Sequence, residues 1–396
     1  MRLWRRASGV MKDQNSLWIS SLSRRSSLRN PDIESAVIKA TSHDEFSVDY
    51  KNAERVYRWI RLSDSHIKPL VWCLSLRMEK TRSWVVALKG LMLMHGVFTC
   101  RVPVVQRIGR LPFDLSNFSD GYGKPGEIWA YNAFIRSYYA FLDQKSTLLF
   151  VNMQEKKGLN VLIHQELQRC SLMQDLLLLQ KLQGLIDMLI QIKPLSQAAS
   201  VFLIVEAMEC ILIEIFDIYS RVCYMIARVL KRIDSATKIE AAMAVRTLKK
   251  AIVQGDELSS YFELCREIGV TNADGCPHIV EVPEEDIHEL EIMINEISER
   301  SELDCDSSKQ QKEEAQRAIA ILNEQNDQMD HRLKTVITDN WEKFDEDSSS
   351  MVNVPAETFQ SSSSKNNNPF LCSPPPSHQQ QHRGSSCPDF PDLISL

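Results

Sequence analysis

Lys39 and Lys51 lie twelve residues apart in the stretch KATSHDEFSVDYKN, with His43 and the carboxylates of Asp44, Glu45 and Asp49 between them. Ammonium groups on long stems hold phosphate oxygens as point charges. The chemistry this pattern offers is therefore capture of an anion at the surface. The same residues also make an ordinary polar loop between two helices, and by themselves they leave both readings open.

The rest of the chain offers little other chemistry. It has no Gly-rich phosphate loop, no G-x-S-x-G, no H-E-x-x-H and no carboxylate pair in a catalytic context, so nothing asks for an enzyme. The ten cysteines include no C-x-x-C pair, which removes the zinc and thioredoxin-like readings. Cys73, Cys210 and Cys223 fall in apolar runs, where a free thiol behaves as a small hydrophobe. A reduced cytosolic protein without metal or cofactor is expected. A net charge of -6 argues against a bulk nucleic-acid binder.

Charge is uneven, however. Residues 1–30 carry Arg2, Arg5, Arg6, Lys12, Arg24, Arg25 and Arg29 against a single acid, Asp13. Such a run suits an anionic surface. The start, MRLWRRASGVMKDQ, lacks the apolar core of a signal peptide. The most apolar stretch, AASVFLIVEAMECILIEIF, contains Glu206, Glu209 and Glu214, so it predicts a core helix rather than a membrane span. Any membrane contact is therefore expected to be peripheral.

Positioning these groups falls to helices. Hydrophobic residues make up 44% of the chain and only 13 residues are glycine, which allows a large core and favours helix. Residues 31–41 predict a short helix with Asn30 as N-cap, Pro31 in the first position and Asp32 and Glu34 in the first turn. HDEFS breaks it. Further helices are predicted at about 48–61, 66–79, 82–100, 127–150, 171–192, 197–233 and 236–254. A shorter one over SSYFELCREIG ends at Gly269, another starts near Pro283, and a solvated helix covers 309–337. Residues 111–127, rich in Gly, Pro, Ser and Asp, predict a loop packed by Phe113, Leu115 and Phe118. Trp84, Val85, Val86, Leu88, Leu91 and Leu93 predict core, and His95 on the same helix predicts a hydrogen-bonded core histidine. No strand alternation and no fixed repeat period appear, so the expectation is an all-α solenoid of antiparallel helix pairs. After about residue 345, SSSSKNNN, SPPPSHQQQH and RGSSCP bury too little apolar surface to offset ordering entropy, which predicts a disordered tail.

Four blocks in register, IKATSHDE (38–45), SWVVALKGLMLMH (83–95), LPFDLSNFSD (111–120) and FIRSYYAFLDQK (134–145), resemble the ANTH domain of clathrin assembly proteins, especially the plant forms. The resemblance covers roughly residues 1–300. It implies an ANTH-like helical superhelix that docks on phosphatidylinositol 4,5-bisphosphate, followed by a helical or linker extension (301–344) and a tail (345–396) that recruits coat proteins. The family holds the headgroup with a Lys at the end of one helix and two Lys and a His around the start of the next. Carried over, these positions are Lys39, Asp49, Lys51 and Asn52. A carboxylate thus stands where an ammonium is expected, and Lys39 and Lys51 remain as the main candidates. His43 and Asn52 are secondary candidates, His43 being expected rather to cap or pack within the loop. Arg2, Arg5 and Arg6, with Leu3 and Trp4 for interfacial insertion, are expected to add nonspecific attraction to the bilayer.

The tail holds two short motifs that the resemblance makes meaningful. Asn368, Pro369 and Phe370 form an NPF tripeptide of the kind EH domains bind. Leu393, Ile394 and Leu396 in the final LISL resemble a clathrin box, with the Leu396 carboxylate in place of the usual acidic residue. The resulting expectation is an endocytic clathrin adaptor whose partners are the clathrin heavy chain, a phosphoinositide surface, EH-domain proteins and an adaptor complex. It would act at coated pits and vesicles of the plasma membrane and Golgi. The alternatives are a module that sorts SNARE helices and a helical scaffold that has lost lipid binding.

Overall fold

The computed structural model describes residues 2–22, 24–26, 28–121, 125–162, 172–273 and 292. All of them fall within one compact unit, distinct from residues 306–368. Apart from Ile292 within the helix expected from Pro283, that helix, the one over 309–337, the tail, its NPF tripeptide and its clathrin-box-like end lie outside the described residues.

Among the described residues there is helix and no strand. The α-helices are α1 (Arg2–Ser21), α2 (Pro31–Ala40), α3 (Tyr50–Leu62), α4 (Ile67–Lys80), α5 (Trp84–Thr99), α6 (Pro125–Leu162), α7 (Leu172–Ile190), α8 (Phe202–Leu230) and α9 (Lys238–Glu267). Each of α1, α2, α5, α6 and α7 packs on a following helix, and longer-range contacts of α2 with α4, α5 with α8 and α7 with α9 stack these pairs into a solenoid. Local chemistry sets the ends. Asn30 Oδ1 accepts from Asp32 N at 3.0 Å above Pro31, as expected from sequence. Thr237 and Glu240 form a capping box on α9. At the other end of α9, Gly269 takes φ +76° and closes the helix, a conformation that costs glycine least.

The core centres on α5, which is buried on every side from Trp84 to Phe98. An all-round apolar helix needs neighbours all round, and α2, α3, α4, α6 and α8 supply them. Glycine allows the closest approaches: a side chain at Gly90 would collide with the Met78 thioether of α4, and one at Gly96 with the Tyr57 hydroxyl of α3. The loop after α5 buries Phe113, Leu115 and Phe118, as expected. Its Asp120 accepts from Trp84 N at 3.0 Å and so caps α5 from a distance, while its own amide donates to Asn132 Oδ1 of α6 at 2.9 Å. Arg136 Nε donates to Phe118 O at 2.9 Å, and Asp143 receives Leu111 N at 2.8 Å. Three of the sequence blocks singled out above therefore hold one another together.

Three boundaries differ from the sequence expectation, the first being that α6 runs to Leu162 rather than ending near 150. Residues 2–21, for which the sequence predicted no helix, form a whole helix that packs on α2. The expected break near Gly255 is absent, and α9 runs through it. A mid-helix glycine costs about 1 kcal/mol, and packing against α7 outweighs that. Gln183 Nε2 donates to Thr247 O at 2.8 Å, and Gln254 Nε2 returns a bond to Gln183 O at 2.7 Å.

Candidate functional site

Lys39 occupies the last turn of α2 and Lys51 the first turn of α3. The connection between them is the loop 41–49, and both side chains are exposed. At the C-terminal end of α2 the cation of Lys39 complements the helix dipole, whereas Lys51 sits at the positive end of α3. Asp49 answers that positive end. It is the N-cap of α3: Oδ1 accepts from Asn52 N at 3.0 Å and Oδ2 from Asn52 Nδ2 at 2.7 Å. A helix N-terminus is a ready-made phosphate site, and here the chain's own carboxylate fills it. Asn52 is buried, and its Oδ1 accepts from Arg55 at 3.1 Å, so its amide is committed inward rather than offered to a ligand.

His43 also points into the structure. Its Nδ1 donates to Asp13 Oδ1 at 2.9 Å and its backbone amide to Asp13 Oδ2 at 2.8 Å. Arg77 of α4 donates to the same Asp13 oxygen at 2.8 Å and to the Thr41 carbonyl at 2.7 Å. The expectation that His43 packs within the loop agrees with this geometry. Burial raises the Asp13 pKa, but the bonds from His43 and Arg77 more than offset it and hold the carboxyl below the usual range. Asp13 is the single acid of the basic segment, and its role is to fasten α1 to the loop. A Cβ on Gly9 would come within 2.7 Å of His43 Cβ, so α1 lies directly on that residue.

From the inside, Lys89 of α5 holds the same loop. Its side chain is 1% exposed, and Nζ donates to Asp44 O at 2.7 Å, Ser47 O at 2.6 Å and Ser42 Oγ at 3.2 Å. Burial pulls its pKa down to about 8 against the opposing pull of Asp44, Asp13 and Asp49, with Arg77 adding to the drop. Sequence reasoning passed over this residue. Its signal was a lone cation in the otherwise apolar run WVVALKGLML, which a buried helix tolerates only when the charge has partners. Tyr50, beside Lys51, donates its hydroxyl to Glu206 of α8 and ties α3 to the second half of the solenoid.

The face of α1 turned away from the core is unusually apolar for a surface. Val10, Met11, Trp18, Ile19 and Leu22 are each more than half exposed. Lys12, Arg24 and Arg25 are exposed beside them. Arg2, Arg5 and Arg6 lie on the first turns of the same helix, and their side chains fall outside the described residues.

Farther inside, His95 fulfils the expectation of a satisfied core histidine. Glu214, an acceptor only, takes Nε2–H at 3.1 Å, which leaves Nδ1 to accept from the Tyr138 hydroxyl at 2.7 Å. Lys145 donates to the same Glu214 oxygen at 2.6 Å. This network joins α5, α6 and α8. Among the described residues, no group of His, Cys, Asp or Glu is arranged to hold a metal ion, and no helix is long and apolar enough to cross a membrane. Cys73, Cys210, Cys223 and Cys265 are buried thiols outside any disulfide, and burial pushes the Cys73 thiol up to about 12.

Fold and surface together define a class: a helical solenoid that presents exposed cations and an apolar helix face among its described residues. Comparison with known proteins makes this specific. The ANTH domain matches residues 32–296, and the chain belongs to that family. It is similar to the Arabidopsis thaliana protein named Putative clathrin assembly protein At1g25240, at 47% identity over 88% of each chain. It is also similar to Putative clathrin assembly protein At1g68110 of the same plant, at 44% identity over 88% of this chain and 89% of that one. A third, Putative clathrin assembly protein At1g14686, is 40% identical over 76% of this chain and 84% of its own.

Proposed function

We propose that this chain is a peripheral clathrin adaptor. In this reading α1 and the α2–α3 surface bind a phosphoinositide-bearing bilayer, and the tail recruits the clathrin heavy chain and EH-domain proteins during vesicle budding at the plasma membrane and Golgi. Family membership and the names of its relatives support the clathrin role. The observation that carries the lipid role is the exposure of Lys39 and Lys51 at the two ends of a loop fixed by Lys89 from within and by Asp13 from α1. Such an anchored loop presents its flanking ammonium groups without a large ordering cost on binding.

Local charge is weak. Asp44, Glu45 and Asp49 face two lysines over 39–52, so the α2–α3 surface alone attracts little. The basic residues of α1 supply the remainder, at roughly 1 kcal/mol each near an anionic leaflet, and the exposed Met11, Trp18 and Leu22 suit interfacial insertion. In the tail, Asn368, Pro369 and Phe370 fit an EH-domain pocket and Leu393, Ile394 and Leu396 the clathrin propeller, two weak contacts that gain avidity on a lattice. One observation favours the rival reading of a scaffold without lipid binding: Asp49 already fills the N-terminus of α3.

Sedimentation with vesicles of matched total charge, with and without phosphatidylinositol 4,5-bisphosphate, separates the two. The adaptor reading expects headgroup-dependent pelleting that is lost in Lys39→Glu/Lys51→Glu. Pelleting that follows total charge alone, or none, makes the chain a scaffold. Clathrin pull-down with and without residues 393–396 tests the tail independently.

A further inference from the structure

The basic segment repeats one pattern. Leu3-Trp4-Arg5-Arg6-Ala7-Ser8 and Leu22-Ser23-Arg24-Arg25-Ser26-Ser27 both read L-x-R-R-x-S, one at each end of α1. Two arginines placed two and three residues before a serine, with an apolar residue five before it, form a charge pattern that complements the acidic substrate groove of an arginine-directed protein kinase. Ser27 lies outside the described residues, whereas Ser8 is described and exposed.

Its position on the helix gives the pattern a consequence. Gly9 and Asp13 turn inward onto His43 and Arg77, and Ser20 is buried. Ser8 falls on the opposite stripe, at helical spacing with Met11, Asn15, Trp18 and Leu22. Ala7, Met11, Lys12 and Asn15 neighbour it on the outer surface of α1. A phosphate there would stand at the N-terminal edge of the exposed apolar face, one turn before Lys12. The anchors described on α1 at Gly9 and Asp13 both follow Ser8 in the chain.

We propose that Ser8 is phosphorylated by an arginine-directed kinase and that the phosphate releases α1 from an anionic bilayer. The kinase transfers the γ-phosphoryl group of ATP: the Ser8 Oγ–P bond forms as the bond to ADP breaks, and the hydroxyl proton leaves through the kinase's base. The product carries a charge of about -1.5 to -2 at neutral pH, enough to cancel roughly two of the neighbouring cations. This inference rests on the membrane reading given above.

The test uses the full chain carrying Ser27→Ala, ATP–Mg and the catalytic subunit of cAMP-dependent kinase as an arginine-directed probe. The site is mapped by mass spectrometry, and binding is read by sedimentation with phosphatidylcholine vesicles containing phosphatidylserine, with and without phosphatidylinositol 4,5-bisphosphate. Phosphate on Ser8 and vesicle affinity lowered about 30-fold are expected. In Ser8→Ala, kinase treatment is expected to leave affinity where it stood before treatment. Failure to modify Ser8 while a control peptide is phosphorylated, or modification without loss of binding, overturns the switch and leaves the membrane reading standing. An unmodified chain that binds neither vesicle overturns both.

Discussion

Asp49 and Asn52, the positions where the family resemblance leads one to expect a lysine and a histidine, are hydrogen-bonded to each other through both the backbone and the side-chain amide of Asn52. The departures form a pair: a carboxylate that caps α3 and an amide that fills its remaining oxygen. Asp49→Asn keeps an acceptor at the cap and removes the charge. It is expected to raise affinity for phosphatidylinositol 4,5-bisphosphate vesicles about fivefold, following roughly 1 kcal/mol for a unit charge near the leaflet. Asp49→Lys is expected to raise affinity further but to lose the cap, at about 1 kcal/mol of stability. Vesicle sedimentation paired with urea denaturation reads both effects, and unchanged affinity in both variants would remove the α2–α3 surface from the lipid site.

Lys89→Met keeps the length of the buried side chain and deletes its three hydrogen bonds to residues 42–47. Two carbonyls then lose their partner, and a loss of about 2–3 kcal/mol is expected. Amide hydrogen exchange should quicken in residues 42–48 before it does in α5. The pH dependence has a defined sign. The folded pKa of about 8 lies below the ordinary 10.5, so between these values the unfolded chain binds more protons. This lysine therefore makes the wild type gain stability as pH rises through about 8 to 10.5. The gain should be missing in Lys89→Met, and parallel profiles for the two chains would contradict the burial of a charge at this position.

Glu214 is held well below the ordinary carboxylate range. Burial raises its pKa, but Lys145 and His95 outweigh that. His95 is lowered, chiefly by burial, and remains neutral at pH 7. Both shifts act in one direction: acidification protonates the unfolded chain first, so stability falls as pH drops through the ordinary histidine and then the ordinary carboxylate range. Glu214→Gln leaves Lys145 buried without its counter-charge and is expected to cost about 3–5 kcal/mol at pH 7. It should also flatten the acid limb of the profile, which thermal unfolding from pH 7 to 3 would reveal.

Glu206 shows the opposite behaviour. Burial and the nearby Glu209 raise its pKa to about 7, so the folded chain holds a proton that the unfolded chain releases above about pH 4.5. Its contribution therefore weakens stability as pH rises from about 4.5 to 7. Glu206→Gln preserves an acceptor for the Tyr50 hydroxyl and is expected to stabilise by about 1–2 kcal/mol at pH 8, after discounting for partial exposure, and by little at pH 5. Equal effects at the two pH values would count against a raised pKa.

Much of this protein could be read from sequence, because helices announce themselves locally. Asn30 and Pro31 define the start of α2 through bonds that span only a few residues, and the spacing of apolar residues in α5 and α8 marked core before any contact was known. The four blocks that carried the ANTH resemblance named the solenoid. Tertiary structure decided whatever depends on partners distant in the chain. Lys89 drew no reading from sequence; its role emerged only once α5 was surrounded and its ammonium met carbonyls 42 and 45 residues away. Asp13 looked like a stray acid in a basic tail until α1 was laid across His43 and Arg77. Gly255 looked like a helix end until α7 was packed beside it. The physical reason is common to all three. A propensity is fixed by neighbours in sequence, whereas a buried charge or a mid-helix glycine is tolerated only where folding brings compensating packing or hydrogen-bond partners within reach.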